Sequence, residues 1–135
     1  GSSGGTTGSI VGAVDVATGA TLRVNRSNAY SFGGVISGGG SLFKSNDGAL
    51  TLTGANTYSG GTTLLDGTIV VGNATALGAT AGPLQLGDGF GTDVLDLNGF
   101  SVGVGVVTGS GGAVTNTAPA AVTFTIGNGG GTGIY

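Results

Sequence analysis

Neither histidine nor cysteine occurs in the 135 residues, so aspartate carboxylates are the only groups left for acid–base or metal chemistry. That removes nucleophile–imidazole catalysis, thiolate and imidazole metal sites, and any disulfide framework. The tightest acidic group in the chain is Asp88, Asp93 and Asp96. Two carboxyls acting on a glycosidic bond must share one surface at about 5–10 Å. Asp93 and Asp96 are an odd number of positions apart, so on one strand they face opposite ways. Asp88 lies in a Gly-Asp-Gly turn, where a short carboxylate caps its own backbone. The segment therefore reads as non-enzymatic: it is assigned no catalytic, cofactor-binding or metal-ligating residue, and no cofactor.

Other polar clusters read the same way. Gly127-Asn128-Gly129-Gly130-Gly131-Thr132-Gly133 is similar to the calcium-binding nonapeptides of secreted β-rolls, but those take an Asp from each turn and none follows Asp96. Carbonyls and one Asn would hold calcium weakly, so a glycine-rich corner is expected there. Arg23 and Arg26 bracket Asn25 near Tyr30 and Phe32, a set that suits a sugar or peptide. An outward Arg on a solvated strand is the simpler account and is preferred. Ser59-Gly60-Gly61, after Tyr58, has no partner to activate the serine, and its small residues suit a tight corner.

The elements that must carry these residues are short strands. Apolar residues alternate in runs such as Leu50–Leu52 and Ile69–Val71, punctuated by Gly, Asn and Asp, with no helical period. Alternation puts Leu22/Val24, Leu50/Leu52, Ile69/Val71, Leu84/Leu86, Leu95/Leu97 and Phe124/Ile126 on one inward face. It turns Thr21, Arg23, Thr51, Thr53, Val70, Gln85, Asp96 and Thr125 outward. With 33 Gly but only two Pro and no Gly-X-Y period, neither collagen nor disorder fits. The lack of Trp argues against a compact sandwich.

The chain also repeats itself. Thr68–Asn73 recurs as Thr123–Asn128, Thr21–Asn25 has a looser copy in Pro83–Asp88, and Val35–Leu42 is echoed by Val107–Val114. Two inward side chains per strand cannot hide an apolar face alone. Stacking coil on coil at about 4.8 Å lets each layer cover the next. At roughly 20 residues per coil, six or seven coils are expected. Asn46-Asp47-Gly48, Asp66-Gly67, Gly72-Asn73 and Asn98-Gly99 should supply positive-φ corners, and some Asn side chains should form ladders between coils.

Residues 39–78 carry a more specific signal. Gly40-Ser41-Leu42, Lys44, Gly48, Leu50-Thr51-Leu52 and the unbroken run Gly54–Thr63 stand where the passenger-associated repeat of bacterial autotransporters has the same residues. The chain resembles that family over this stretch. It departs at Phe43 and at Asn46-Asp47-Gly48-Ala49, where the family usually has smaller residues, which touches only the register of one corner. The resemblance implies an all-β, single-stranded right-handed parallel β-helix, here occupying residues 9–135 after a leader at 1–8. It also implies an exported, extracellular or bacterial cell-surface location, with an outer-membrane barrel in the full-length chain. The expected role is that of a stiff stalk and folding-coupled export module for adhesion or display. A repeat module of a self-assembling extracellular filament is the alternative, followed by a carbohydrate-active β-helix enzyme.

Charge limits the partners. The net charge is −3, and all three cations, Arg23, Arg26 and Lys44, lie in the first third of the chain. Without clustered Lys and Arg, neither nucleic acid nor an anionic membrane surface is expected to bind. The partners expected are neighbouring coils or further copies meeting end to end, with the host-surface or matrix ligand left open. The lack of Cys fits a chain that crosses an oxidising compartment unfolded.

Overall fold

A computed structural model describes residues 7–127. Residues 1–6 of the leader expected at 1–8, and the glycine-rich corner after Gly127, lie outside the described residues. Every regular element among those described is a strand, and the strands stack into a β-solenoid of about six turns. The first coil contains β1 (Val14–Asp15), β2 (Thr21–Asn25) and β3 (Tyr30–Phe32); the second contains β4 (Ile36–Ser37), β5 (Ser41–Ser45) and β6 (Ala49–Leu52). The third contributes β7 (Thr62–Leu64) and β8 (Gly67–Val71), and the fourth β9 (Leu84–Leu86) and β10 (Asp93–Asp96). β11 (Val102–Val104), β12 (Val107–Thr108) and β13 (Ala113–Thr115) make the fifth, and β14 (Phe124–Ile126) opens the sixth.

All pairings are parallel, and each joins a strand to its equivalent in the next coil. One face runs β2-β5-β7-β9-β12 and a second β3-β6-β8-β10-β13, while the third carries the short pairs β1-β4 and β11-β14. The register on the first face passes through Leu22, Leu42, Thr62, Leu84 and Val107, steps of 20, 20, 22 and 23 residues. On the second face it passes through Tyr30, Leu50, Ile69, Leu95 and Val114, steps of 20, 19, 26 and 19. The long step is the turn at residues 87–92, which inserts extra chain between β9 and β10.

The inward set fills one column. Leu42, Leu50, Leu52, Leu64, Ile69, Val71, Leu84, Leu86, Leu95 and Leu97 are all buried. Leu22, Val24, Phe124 and Ile126 pack against this core but are only half-buried. For Phe124 this corrects the expectation of full burial. Among the described residues β2 pairs only with β5 and β14 only with β11, so each has a covering layer on one side alone. Thr51, expected in solvent, is half-buried between Ser31 and Val70 of the adjacent coils, while Gln85 is exposed as expected.

The internal copies are repeats of a strand and not of a whole coil. Thr68–Val71 belongs to the second face, whereas Thr123–Ile126 belongs to the third, so near-identical strings serve different walls. Asn46 and Asn98 take positive φ (70° and 45°), as do Gly67 and Gly99, but Gly72-Asn73 does not. Asn73 instead accepts from the Thr75 backbone N–H and hydroxyl, a local side-chain turn. One rung of the expected ladders forms, from Asn46 Nδ2 to Asn25 Oδ1 at 3.1 Å.

Candidate functional site

The three aspartates singled out by spacing do not share a surface. Asp93 sits on the inward face of β10 with Leu95, and Asp96 on the opposite face, as alternation requires. Asp96 was expected in solvent; it is 8 % exposed, because the chain at Thr117 folds back over it. Its Oδ1 accepts from the backbone N–H groups of Asn98 and Thr117, both at 3.0 Å, and its Oδ2 from the Thr117 hydroxyl at 2.6 Å. Burial alone would raise its pKa, but these bonds to the Thr117 hydroxyl, the Thr117 N–H and the Asn98 N–H outweigh it, leaving the carboxyl below its ordinary value. Three accepted bonds and burial commit this carboxyl to the turn at Thr117.

Asp93 is different. It is 3 % exposed, and its Oδ1 has no hydrogen-bond partner. Its neighbours are glycines: a Cβ at Gly87 would lie 2.7 Å from Oδ2, and one at Gly111 would lie 4.0 Å from the same oxygen. Burial raises its pKa first, and the nearby charges of Asp66 and Asp88 push it further. Asp88 is engaged in its own turn, where Oδ1 accepts from the Phe90 N–H at 2.9 Å, as its Gly-Asp-Gly context predicts. Spacing missed Asp66, which comes alongside only because the solenoid superimposes the corner between β7 and β8 on the one between β9 and β10. Among the described residues no three acidic side chains form a group able to hold a metal ion.

Lys44 is a second inward charge on the same edge of the solenoid, 1 % exposed. Its position two residues after Leu42 in an alternating strand is the signal that could have found it. The ammonium donates to the carbonyls of Ser45 and Asp66, each at 3.0 Å, and to that of Asn46. Desolvation lowers its pKa, and Asp66 and Asp47 partly restore it. The group ties the second corner to the third.

Residues 54–61 of the run Gly54–Thr63 build the third wall where no strand pairs, and Thr62 and Thr63 open β7. Asn56, 2 % exposed, accepts from the Ile36 N–H at 2.8 Å and donates to the Ala76 carbonyl at 2.7 Å, joining three successive coils. Tyr58 is fully buried with its hydroxyl 2.6 Å from that of Thr62, and burial pushes the phenol well above its usual range despite that bond. A Cβ at Gly54 would collide with the Gly34 carbonyl, and one at Gly60 would lie 2.5 Å from that of Gly40. Ser59 donates its backbone N–H to the Gly38 carbonyl at 3.0 Å, in keeping with a corner role. Of the polar side chains in this run, Asn56 holds coil to coil, and Tyr58 and Thr62 bond each other within one.

The basic patch is also built into the wall. The Arg23 guanidinium lies 4.3 Å from the Phe43 ring centre and that of Arg26 4.7 Å from Tyr30. Phe43, the departure from the usual repeat, is thus the platform for Arg23 in the preceding coil. Arg26 donates to Asn28 Oδ1 at 3.1 Å and to the Gly8 carbonyl, and the Tyr30 hydroxyl bonds Ile10, so the pair straps residues 7–10 to the first coil. Phe32 turns into the core instead of joining them.

The family model described as the passenger-associated-transport-repeat fits residues 42–71. An adhesin, the BmaC autotransporter of Brucella suis biovar 1 (strain 1330), is 40% identical over 65 residues, which cover 48% of this chain and 2% of that protein. No solved structure matches the chain. Residues 42–71 are an autotransporter passenger repeat folded as the middle coils of a parallel β-solenoid.

Proposed function

We propose that this chain is a structural segment of an autotransporter passenger, a stiff, surface-exposed rod that carries adhesive or display regions away from the cell. The passenger repeat supports the context, and the name of the adhesin relative supports the adhesive setting. The observation that carries the structural role is the fate of the polar residues in Gly54–Thr63. Asn56, Tyr58 and Thr62 are spent on bonds within and between coils. Among the acids, Asp96 accepts three bonds from its own wall and Asp93 is buried. A wall made this way resists unfolding and offers no reaction centre. Folding outside the cell, with each coil templating the next, would favour passage of the chain through the outer membrane.

The test is surface display. Placed between an export signal and a translocating barrel, the chain should reach the surface as a protease-resistant passenger. Asn56→Ala combined with Gly60→Val, which breaks the third wall, should lower the resistant surface fraction several-fold, while Gln85→Ser on the exposed wall should not. Equal display of all three would remove the link between coil stacking and export. Polysaccharide turnover by the purified chain that disappears in Asp93→Asn would replace this reading with the enzymatic one.

A filament module is the second reading, favoured by one observation. The fifth and sixth coils leave an open apolar hollow of about 220 Å³ between Leu86, Val107, Val114 and Phe124, a surface on which another layer could stack.

A further inference from the structure

We propose that the corner around Asp93 is an acid-tightened joint: with a proton on the inward carboxyl the turns at 87–92 and 109–112 close over it, and when the proton leaves they loosen. The geometry is that of a carboxyl with one buried oxygen left without support. The side chain shares the inward face with Leu95, is 3 % exposed, and leaves Oδ1 without a partner. A buried ion without hydrogen bonds is costly, whereas the neutral acid is much cheaper to enclose.

The surrounding elements make the ion worse off. Asp66, at the corner before β8, and Asp88, in the turn before β10, both bear negative charge toward it. β8, β9, β13 and the turn at 109–112 contribute no ionisable side chain. The inward cation of this edge, Lys44, holds the carbonyls of Ser45, Asn46 and Asp66 and gives Asp93 no hydrogen bond. The cover that would move is backbone-rich and glycine-rich, so it can open without uncovering large apolar side chains. It is also the stretch that lengthens the second-face register step to 26 residues, an insertion that the neighbouring coils lack.

The sign follows from linkage. Asp93 is harder to ionise in the folded chain than in the unfolded one, whose value is near 3.8. Its contribution to stability is therefore complete below that pH and is lost as pH rises through the raised folded value. Joint closure binds one proton, and opening releases it.

Carboxyl-carbon NMR of the 135-residue chain, followed from acid to neutral pH, reads the joint directly. Asp93 should titrate above 3.8, and amides at 87–92 and 109–112 should lose exchange protection over the same interval. Asp93→Asn, which is neutral at every pH, should keep that protection at neutral pH. Should that variant fail to fold, Asp66→Asn with Asp88→Asn offers a second reading, because removing both neighbouring charges should move the Asp93 midpoint downward. An Asp93 midpoint at or below 3.8, or one unmoved in the double variant, would overturn the proposal. So would millimolar calcium chloride restoring neutral-pH protection in the parent but not in Asp93→Asn, since the occupant would then be a cation and not a proton.

Discussion

Asp93 and Asp96 lie on one strand, each more than nine-tenths buried, yet they respond to pH in opposite directions because only one has donors. Asp96 is held ionised by Thr117 and Asn98, so its stabilisation is present above the ordinary aspartate value and is lost as pH falls through its lowered one. Asp96→Asn should therefore cost about 1.5–3 kcal/mol at neutral pH, the range for hydrogen bonds to a charged group. Denaturation measured down a pH series should show the gap closing in acid, where the parent carboxyl is protonated as well. A gap of constant size would mean that packing, and not charge, accounts for the loss. Alternation alone revealed that the two residues face apart. It could not reveal that Thr117 covers the outward one, because that cover comes from a turn 21 residues downstream. Asp66 was hidden for the same reason, since its approach to Asp93 exists only once coils are superimposed.

At the level of the element, the strands were legible and the walls between them were not. Leu50, Leu52, Ile69, Val71, Leu84 and Leu86 alternate with polar neighbours, and period two suffices to place them in the column. The third wall has no such pattern over residues 54–61, because side chains and single backbone bonds replace a ladder there. The family resemblance marked these residues as a string, and the geometry supplies the reason for each. Asn56→Ala would leave the Ile36 N–H and the Ala76 carbonyl buried and unpaired, at about 1–3 kcal/mol for each group. The total should rival the roughly 2–5 kcal/mol expected for Ile69→Ala, a truncation in the centre of the column. Chemical denaturation of both variants makes the comparison. An Asn56→Ala protein as stable as the parent would show that the third wall contributes nothing to holding the coils. The near-copies Thr68–Val71 and Thr123–Ile126 warn against reading coil phase from local similarity: the same apolar pattern suits any wall, and turn lengths alone decide which one it joins.

For the molecule as a whole, the question is what a solenoid does where its layers are half covered. In its interior each coil is covered above and below, but among the described residues the walls end at β2 and β12 and at β3 and β13. At the last layer Val114 is 38% exposed and Phe124 is half-buried, beside the hollow they share with Leu86 and Val107. At the first, Leu22, Val24 and Tyr30 are half-buried beneath the strap at residues 7–10. Strand edges over an apolar column are templates for another layer, and natural solenoids cover them with polar caps. The strap gives the first layer part of such a cover, so among the described residues the β12–β13 side is the more open of the two. The 135-residue chain should accordingly associate as its concentration rises, with the solenoid axis as the direction of growth. Backbone pairing and apolar contact would hold the copies together, so raising the salt should not separate them, as it would a contact between screened surface charges. Val114→Asp puts a charge on the open layer without entering the column and should shift the association to higher concentration. Sedimentation across a concentration series, in low and high salt, reads both effects. A chain that sediments as a monomer throughout, or a Val114→Asp variant that associates like the parent, would remove the filament reading and leave the rod as a unit that stacks only within one chain.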